Sequence, residues 1–221
     1  MEDARKFAEW GVDLLKYDNC HNEGGLPAAE RYKAMADALL ASGRPILLSI
    51  CEWGGANDPW SSFGPELGQM WRTTGDITDT WGGSVMGGSS TSRWVSRRTP
   101  GRTRGTTPDM LEVGNPGGLT EDESRAHMSL WSLLNAPLIA GGTTCATCRT
   151  PPSPCSRTLT SSRSTRTGGR DPGGAQGRRR RGDQEVWVKP MSDGGGAAVV
   201  LLNRGKGGAA METKAADLGL S

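Results

Sequence analysis

The chain has 221 residues, 26 basic and 24 acidic side chains, and a formal net charge of +2. No apolar run approaches the roughly 18 residues of a membrane span, no basic-then-apolar leader follows Met1, and the 33 glycines have no three-residue period, which excludes collagen. The length suits one domain or slightly more, and the near-neutral charge gives no argument for nucleic acid.

Residues 1–10 read as the end of a helix, with Phe7 and Trp10 at i, i+3 before Gly11 breaks the pattern. Residues 12–20 read as a strand that runs into the polar loop Lys16-Tyr17-Asp18-Asn19-Cys20. Residues 27–42 carry small apolar and charged groups at helical spacing, with Pro27 near the start. The continuous apolar run from Pro45 to Ile50 predicts a fully buried strand. It leads directly into Cys51-Glu52-Trp53. Two further polar strings follow, Trp71-Arg72-Thr73-Thr74-Gly75-Asp76-Ile77 and Pro108-Asp109-Met110-Leu111-Glu112-Val113-Gly114-Asn115. Residues 121–134 read as a helix with acids in its first turn and Met128, Leu130, Trp131 and Leu134 within it. Pro137 to Ala140 reads as another short buried strand. Strand and helix alternating through Gly-rich loops predicts parallel β/α units. After Gln184 the texture changes. Residues 185–189 and 197–203 read as antiparallel strands joined by Ser-Asp-Gly-Gly-Gly, the start of a separate β domain.

Two windows break this order. Residues 89–107 and 143–173 hold ten Arg, no Lys and one acid (Asp171), and only Val95 and Leu159 among Leu, Ile, Val and Phe. Neither can bury a core. The rest of the chain carries −7, with 16 basic and 23 acidic groups.

Each polar string suggests chemistry at a strand end. Lys16 and Asp18 share one face of a strand, and the Lys can hold the carboxylate ionised, as a nucleophile requires; a surface ion pair is the plain alternative. Glu52 beside Trp53 suits a sugar, with a carboxylate for hydroxyls and a ring for the apolar face; a core Trp beside a solvated Glu is the alternative. Arg72 and Asp76 read equally as a salt bridge, and Asp109 as a strand-end polar residue or a loop cap.

Taken in order, these strings, with His127-Met-Ser-Leu-Trp-Ser-Leu-Leu-Asn-Ala-Pro-Leu-Ile-Ala-Gly141, closely resemble the α-galactosidases (melibiases) of glycoside hydrolase family 27. The resemblance covers about 1–88, 108–142 and 174–205. It implies an α/β chain: a partial (β/α)8 TIM barrel, about the fourth to eighth units, followed by the start of an antiparallel β-sandwich. The implied domains are a partial catalytic barrel over 1–142, an odd segment over 143–173, and the barrel end with the sandwich start over 174–221. It further implies retaining hydrolysis of terminal α-galactosides, with no cofactor and no metal. Carried over by motif, Asp18 is the nucleophile and Asp76 the general acid/base. Lys16, Glu52 and Arg72 bind galactose hydroxyls, and Cys51, Trp53, Asp109 and Met110 line the same pocket. Glu52 favours galactose over N-acetylgalactosamine, because the related α-N-acetylgalactosaminidases carry a smaller residue there. Two carboxyls in such a site should lie roughly 5–5.5 Å apart.

The sequence departs from the family in three ways. About three β/α units of the family barrel precede the position of Met1, and they carry an Asp pair, a Trp and the Cys that would pair with Cys20. The sandwich stops after about two strands. The two windows lack any resemblance and read as out-of-frame translation, expected to be irregular and poorly packed. An inactive fragment of such an enzyme is therefore a second reading. A related β-L-arabinopyranosidase activity differs in the absent Asp-pair region. Cys20 and Cys51, at neighbouring strand ends, are left as a default disulfide pair. The third reading is a zinc or nucleic-acid module built on Cys145, Cys148, Cys155 and the basic run 178–181. Zinc lacks a fourth ligand nearby, since His21 and His127 are distant in sequence, and no aromatic residues accompany the cysteines for base stacking. The partner expected is a galactoside, with neither nucleic acid nor membrane. Compartment and oligomeric state stay open.

Overall fold

A computed structural model describes residues 1–22, 24–53, 62–82, 105–134, 136–139, 141, 178–190 and 196–218. They fall into two compact units, Met1–Asp76 with Arg104–Asp109, and Ile77–Thr103 with Met110–Ser221. Among them, no helix is long and apolar enough to cross a membrane.

The first unit is a parallel sheet with helices between its strands. Helix α1 (Glu2–Glu9) precedes β1 (Leu14–Asp18), α2 (Ala28–Ala41), β2 (Leu47–Cys51), the short α3 (Gly64–Leu67), β3 (Met70–Arg72) and β4 (Gly105–Thr107). The strands lie in the order β1-β2-β3-β4, all parallel, with Asp18 opposite Cys51 and Arg72 opposite Thr107. The register therefore brings the carboxyl ends of all four strands to one edge. Strand β2, inside the sheet, is buried from Leu48 to Cys51, as its unbroken apolar run requires. Strand β1 alternates instead: Leu14, Lys16 and Asp18 are exposed, and Leu15 and Tyr17 are half-buried. The core gathers Tyr32, Leu39, Leu48, Ile50 and Trp71 under α1 and α2. Tyr32 stands edge-on to Tyr17 and stacks on Phe63.

The second unit contains helix α4 (Glu121–Leu133) and the antiparallel sheet β5 (Arg178–Arg181), β6 (Gln184–Pro190) and β7 (Ala197–Asn203). Thr120 and Glu123 close a reciprocal capping box at the start of α4, and Glu121, Asp122 and Glu123 suit its positive end. Just before it, Asp79 accepts the Leu119 N–H at 3.0 Å, and any side chain at Gly118 would collide with that carboxylate. Trp131, Leu130, Leu133, Trp187 and Leu202 form the core. Glu185 is fully buried, yet Arg204 pairs with both its oxygens at 2.9 and 3.2 Å, and the Trp187 indole donates to it at 2.9 Å. A buried carboxylate is tolerable only with such complete pairing. Burial pushes the Lys189 ammonium, further along β6, down to about 8.

The structure revises several expectations. The run from Pro137 forms no strand among its described residues: Pro137, Leu138 and Ile139 are half-buried coil, held to Leu111 by Leu111 N–H to Ile139 O and Gly141 N–H to Leu111 O. Two hydrogen bonds to one residue tie this short stretch to Leu111 without a ladder among the described residues. Residues 105–107, expected to be irregular, form β4 with Thr107 buried; β-branched Thr fits a pleated position whatever its neighbours in sequence. The remainder of 89–107, all of 143–173, and with them Cys145, Cys148 and Cys155, lie outside the described residues. The basic run 178–181 is strand β5, joined to β6 by the two-residue loop Gly182-Asp183, whose glycine takes φ 61°. Cys20 and Cys51 do not pair; both are free thiols.

His127 on α4 is fully buried, stacks on Trp131 at 3.8 Å, and accepts the Glu112 N–H at Nε2. Burial pushes its imidazole down to about 4, against a weaker opposing pull from Asp79. A His held neutral in the folded state stabilises above its ordinary range and loses that contribution as pH falls from about 6.5 to 4. Urea unfolding should therefore weaken by on the order of 3 kcal/mol between pH 7 and 4 through this residue. His127→Gln, which keeps an acceptor, should flatten that slope; an unchanged slope contradicts the assignment.

Candidate functional site

The site is built from strand ends of the first unit. Parallel strands in register place Asp18 (end of β1), Cys51 (end of β2) and Arg72 (end of β3) on one edge, and Asp109 follows β4 by two residues. In sheets of this kind, ligands bind outside the carboxyl ends of the strands.

Arg72 is the centre of the arrangement. Its guanidinium is buried, at 5% side-chain exposure; it donates to Asp76 Oδ1 at 2.6 Å and forms an ion pair with Asp109 Oδ2 at 2.9 Å. Its other terminal nitrogen reaches the Cys51 sulfur at 3.6 Å. Burial alone would lower its basicity, but these partners raise it above the ordinary value. Arg72 Nε is buried with no partner among the described residues. The two carboxylates differ sharply. Asp109 is buried at 9% side-chain exposure, whereas Asp76 is 82% exposed. Threonines fix the loops that present them: Thr73 N–H donates to Thr107 O at 3.0 Å, Thr74 Oγ1 to Pro108 O at 2.7 Å, and Thr107 Oγ1 to Asp109 O at 2.6 Å.

Asp18 ends β1, two strands from Arg72 at the end of β3, with Cys51 on β2 between them. Its Oδ1 accepts the Asn19 N–H at 2.7 Å and the Trp53 indole N–H at 3.0 Å. Partial burial pushes the carboxyl up, but hydrogen bonds from Asn19, Cys51 and Trp53 and the Lys16 charge outweigh it and hold the group below its ordinary range. Asp18 is thus ionised at neutral pH, in keeping with the shared face of Lys16 and Asp18. Burial pushes the Cys51 thiol up, so it stays a thiol able to donate. Glu52 is buried at 4%, and Trp53 is 39% exposed with a left-handed φ of 64°.

Lys16, Asp18, Cys51, Glu52, Trp53, Arg72, Asp76 and Asp109 thus all belong to the first unit, and contacts connect Asp18 to Asp76 and Asp109 through Cys51 and Arg72. Met110 belongs to the second unit, where a side chain at Gly141 would stand 2.8 Å from its Cβ. Sequence reasoning missed Asn19, which is buried and accepts from Arg31 Nη1 at 2.7 Å, tying α2 to the end of β1. It also missed the threonines, because Thr in a loop carries no distinctive signal. No cluster of three His, Cys, Asp or Glu able to hold a metal occurs among the described residues.

A family profile described as "Alpha galactosidase A" (Melibiase_2) matches residues 1–148. "Alpha-galactosidase 2" of Arabidopsis thaliana is 41% identical over 222 residues, covering 100% of this chain and 53% of the relative. The crystal structure of alpha-galactosidase I from Mortierella vinacea superposes with a TM-score of 0.71 at 31% identity, over 90% of this chain and 54% of that one. The Saccharomyces cerevisiae alfa-galactosidase solved with raffinose gives a TM-score of 0.67 at 28% identity, over 91% of this chain and 51% of that one. The chain spans about half the length of the curated relatives it matches.

The burial contrast predicts unequal costs. Arg72→Ala leaves the Asp109 carboxylate buried without its cation, and should destabilise by about 3–5 kcal/mol. Asp76→Asn removes an exposed partner and should cost less than about 1 kcal/mol. Urea denaturation of the two variants checks this; equal losses would contradict the geometry.

Proposed function

The chain belongs to the alpha galactosidase A family (Melibiase_2), and from that membership we propose that it carries the reacting groups of a retaining α-galactosidase that cleaves terminal α-D-galactosyl residues. We propose with it that the parallel sheet is part of a (β/α)8 barrel, about its fourth to eighth units, and that the antiparallel sheet begins a β-sandwich. The corresponding domains are 1–142 and 174–221, with 143–173 between them. The observation that carries the reading is the continuous contact of Asp18, Cys51, Arg72, Asp76 and Asp109 along one carboxyl edge.

The chemistry is double displacement. Asp18, ionised by its donors, attacks the anomeric carbon as the glycosidic C–O bond breaks, and Asp76 gives its proton to the leaving oxygen. A water then adds to the anomeric carbon, Asp76 takes the water's proton, and the bond to Asp18 breaks with net retention. The exposure of Asp76 suits a group that exchanges protons with a leaving group and with water. Arg72 Nε supports a role in binding, because a sugar hydroxyl can satisfy a buried donor with no protein partner. Lys16 and Glu52 bind further galactose hydroxyls, and the bulk of Glu52 disfavours a 2-acetamido group. Cys51, Trp53 and Asp109 complete the pocket lining.

Nitrophenyl α-galactoside tests the proposal. Turnover that falls at least about 10³-fold in Asp18→Asn is expected, with nitrophenyl β-L-arabinopyranoside a poorer substrate. Absence of turnover by the folded chain makes it an inactive part of the enzyme, and preference for the arabinoside overturns the substrate.

A further inference from the structure

Trp53 occupies a backbone conformation that a bulky L-residue avoids. Its φ is 64°, and among the described non-glycine residues only His21 shares a positive φ. Such strain persists only where the surroundings over-determine it, and it collects at functional positions. Burial does not explain it here, because the residue is 39% exposed and belongs to neither described core cluster. What the turn achieves is an aim. It returns the indole toward the sheet edge, where Nε1 donates to Asp18 Oδ1 at 3.0 Å.

That oxygen is also held by the Asn19 N–H at 2.7 Å. The end of β2 thus delivers two donors to one carboxylate, the Cys51 thiol and, two residues on, the Trp53 indole. The Asn19 and Trp53 donors both fall on Oδ1. We propose that Trp53 is a positioning residue for the Asp18 nucleophile, its indole N–H aimed by left-handed backbone to fix the carboxylate's orientation and charge. The role differs from stacking on a sugar, which needs only the ring face. It rests on the reading of Asp18 as the nucleophile.

The titratable groups coupled to this carboxylate are Lys16 on β1, the Cys51 thiol on β2 and the Tyr32 phenol on α2. None of these side-chain types titrates in the carboxylate range. Glu52 is an acid that lies between the two donors in sequence, so the readout must be specific to Asp18.

The test uses the full chain labelled with ¹³C at aspartate carboxyls. In Trp53→Phe the ring remains and the donor is lost, so the Asp18 titration midpoint should move upward. Trp53→His, which tolerates left-handed backbone and restores an N–H, should move it back. Trp53→Gly releases the strain and should keep or raise Tm while showing the same upward midpoint. In turnover, Trp53→Phe should lower kcat by about 10–100-fold, the worth of one hydrogen bond to a charged group, with KM within about twofold. An Asp18 midpoint unchanged in Trp53→Phe overturns the proposal, and so does a raised KM with unchanged kcat, which marks ring stacking. Turnover that survives Asp18→Asn overturns the nucleophile itself, and the positioning role with it.

Discussion

The buried guanidinium of Arg72 is the constraint on which the site depends. A cation at 5% exposure needs anions at contact distance, and two carboxylates supply them at 2.6 and 2.9 Å. One is buried and one is exposed, so the two have different work. Asp109 neutralises the charge within the protein, and Asp76 carries the pairing out to solvent. The third contact, to Cys51, reaches back across the sheet toward Asp18. The loops after β3 and β4 are tied by threonine hydrogen bonds to carbonyls, so the carboxylates are held by backbone as well as by charge.

The parallel register makes this possible. Asp18, Cys51 and Arg72 end consecutive strands, and strands in register end on one edge. Nothing in any one string requires the three to meet. Their meeting follows from the buried run of β2, which fixes the middle of the sheet, and from α2, whose Tyr32 and Leu39 share a core with Leu48, Ile50 and Trp71. The same edge sets the electrostatics. Asp18 receives three donors and faces Lys16, so it is ionised, while the thiol beside it is kept protonated by burial.

The sequence made β1, β2, α2, α4, β6 and β7 legible because each has a strong pattern, and the order of the polar strings made the family legible. The rest escaped for identifiable reasons. The run from Pro137 looks like a buried strand because periodicity cannot report whether a ladder partner exists; among the described residues its backbone pairing outside the run is with Leu111. Strand β4 is three residues long and falls in a window with no apolar signal, and its pairing with β3 is nonlocal. The arginines of β5 read as a binding patch, since charge conceals strand propensity, and Gly182 is the local mark of the hairpin. Cys20 and Cys51 looked adjacent by strand number, but Cys51 is engaged with Arg72. The left-handed turn at Trp53 has no sequence signature, because the residue is the opposite of what that conformation prefers.

The central claim is that Asp18 is the group that becomes covalently bonded to the sugar. An activated, fluorinated α-galactoside that forms the glycosyl-enzyme faster than it is hydrolysed tests this directly, with peptide mass mapping of the trapped protein. The account predicts one galactosyl adduct, on Asp18, in the peptide that spans Lys16 to Asn19. An adduct on Glu52, Asp76 or Asp109, or an adduct that still forms in Asp18→Asn, would contradict it.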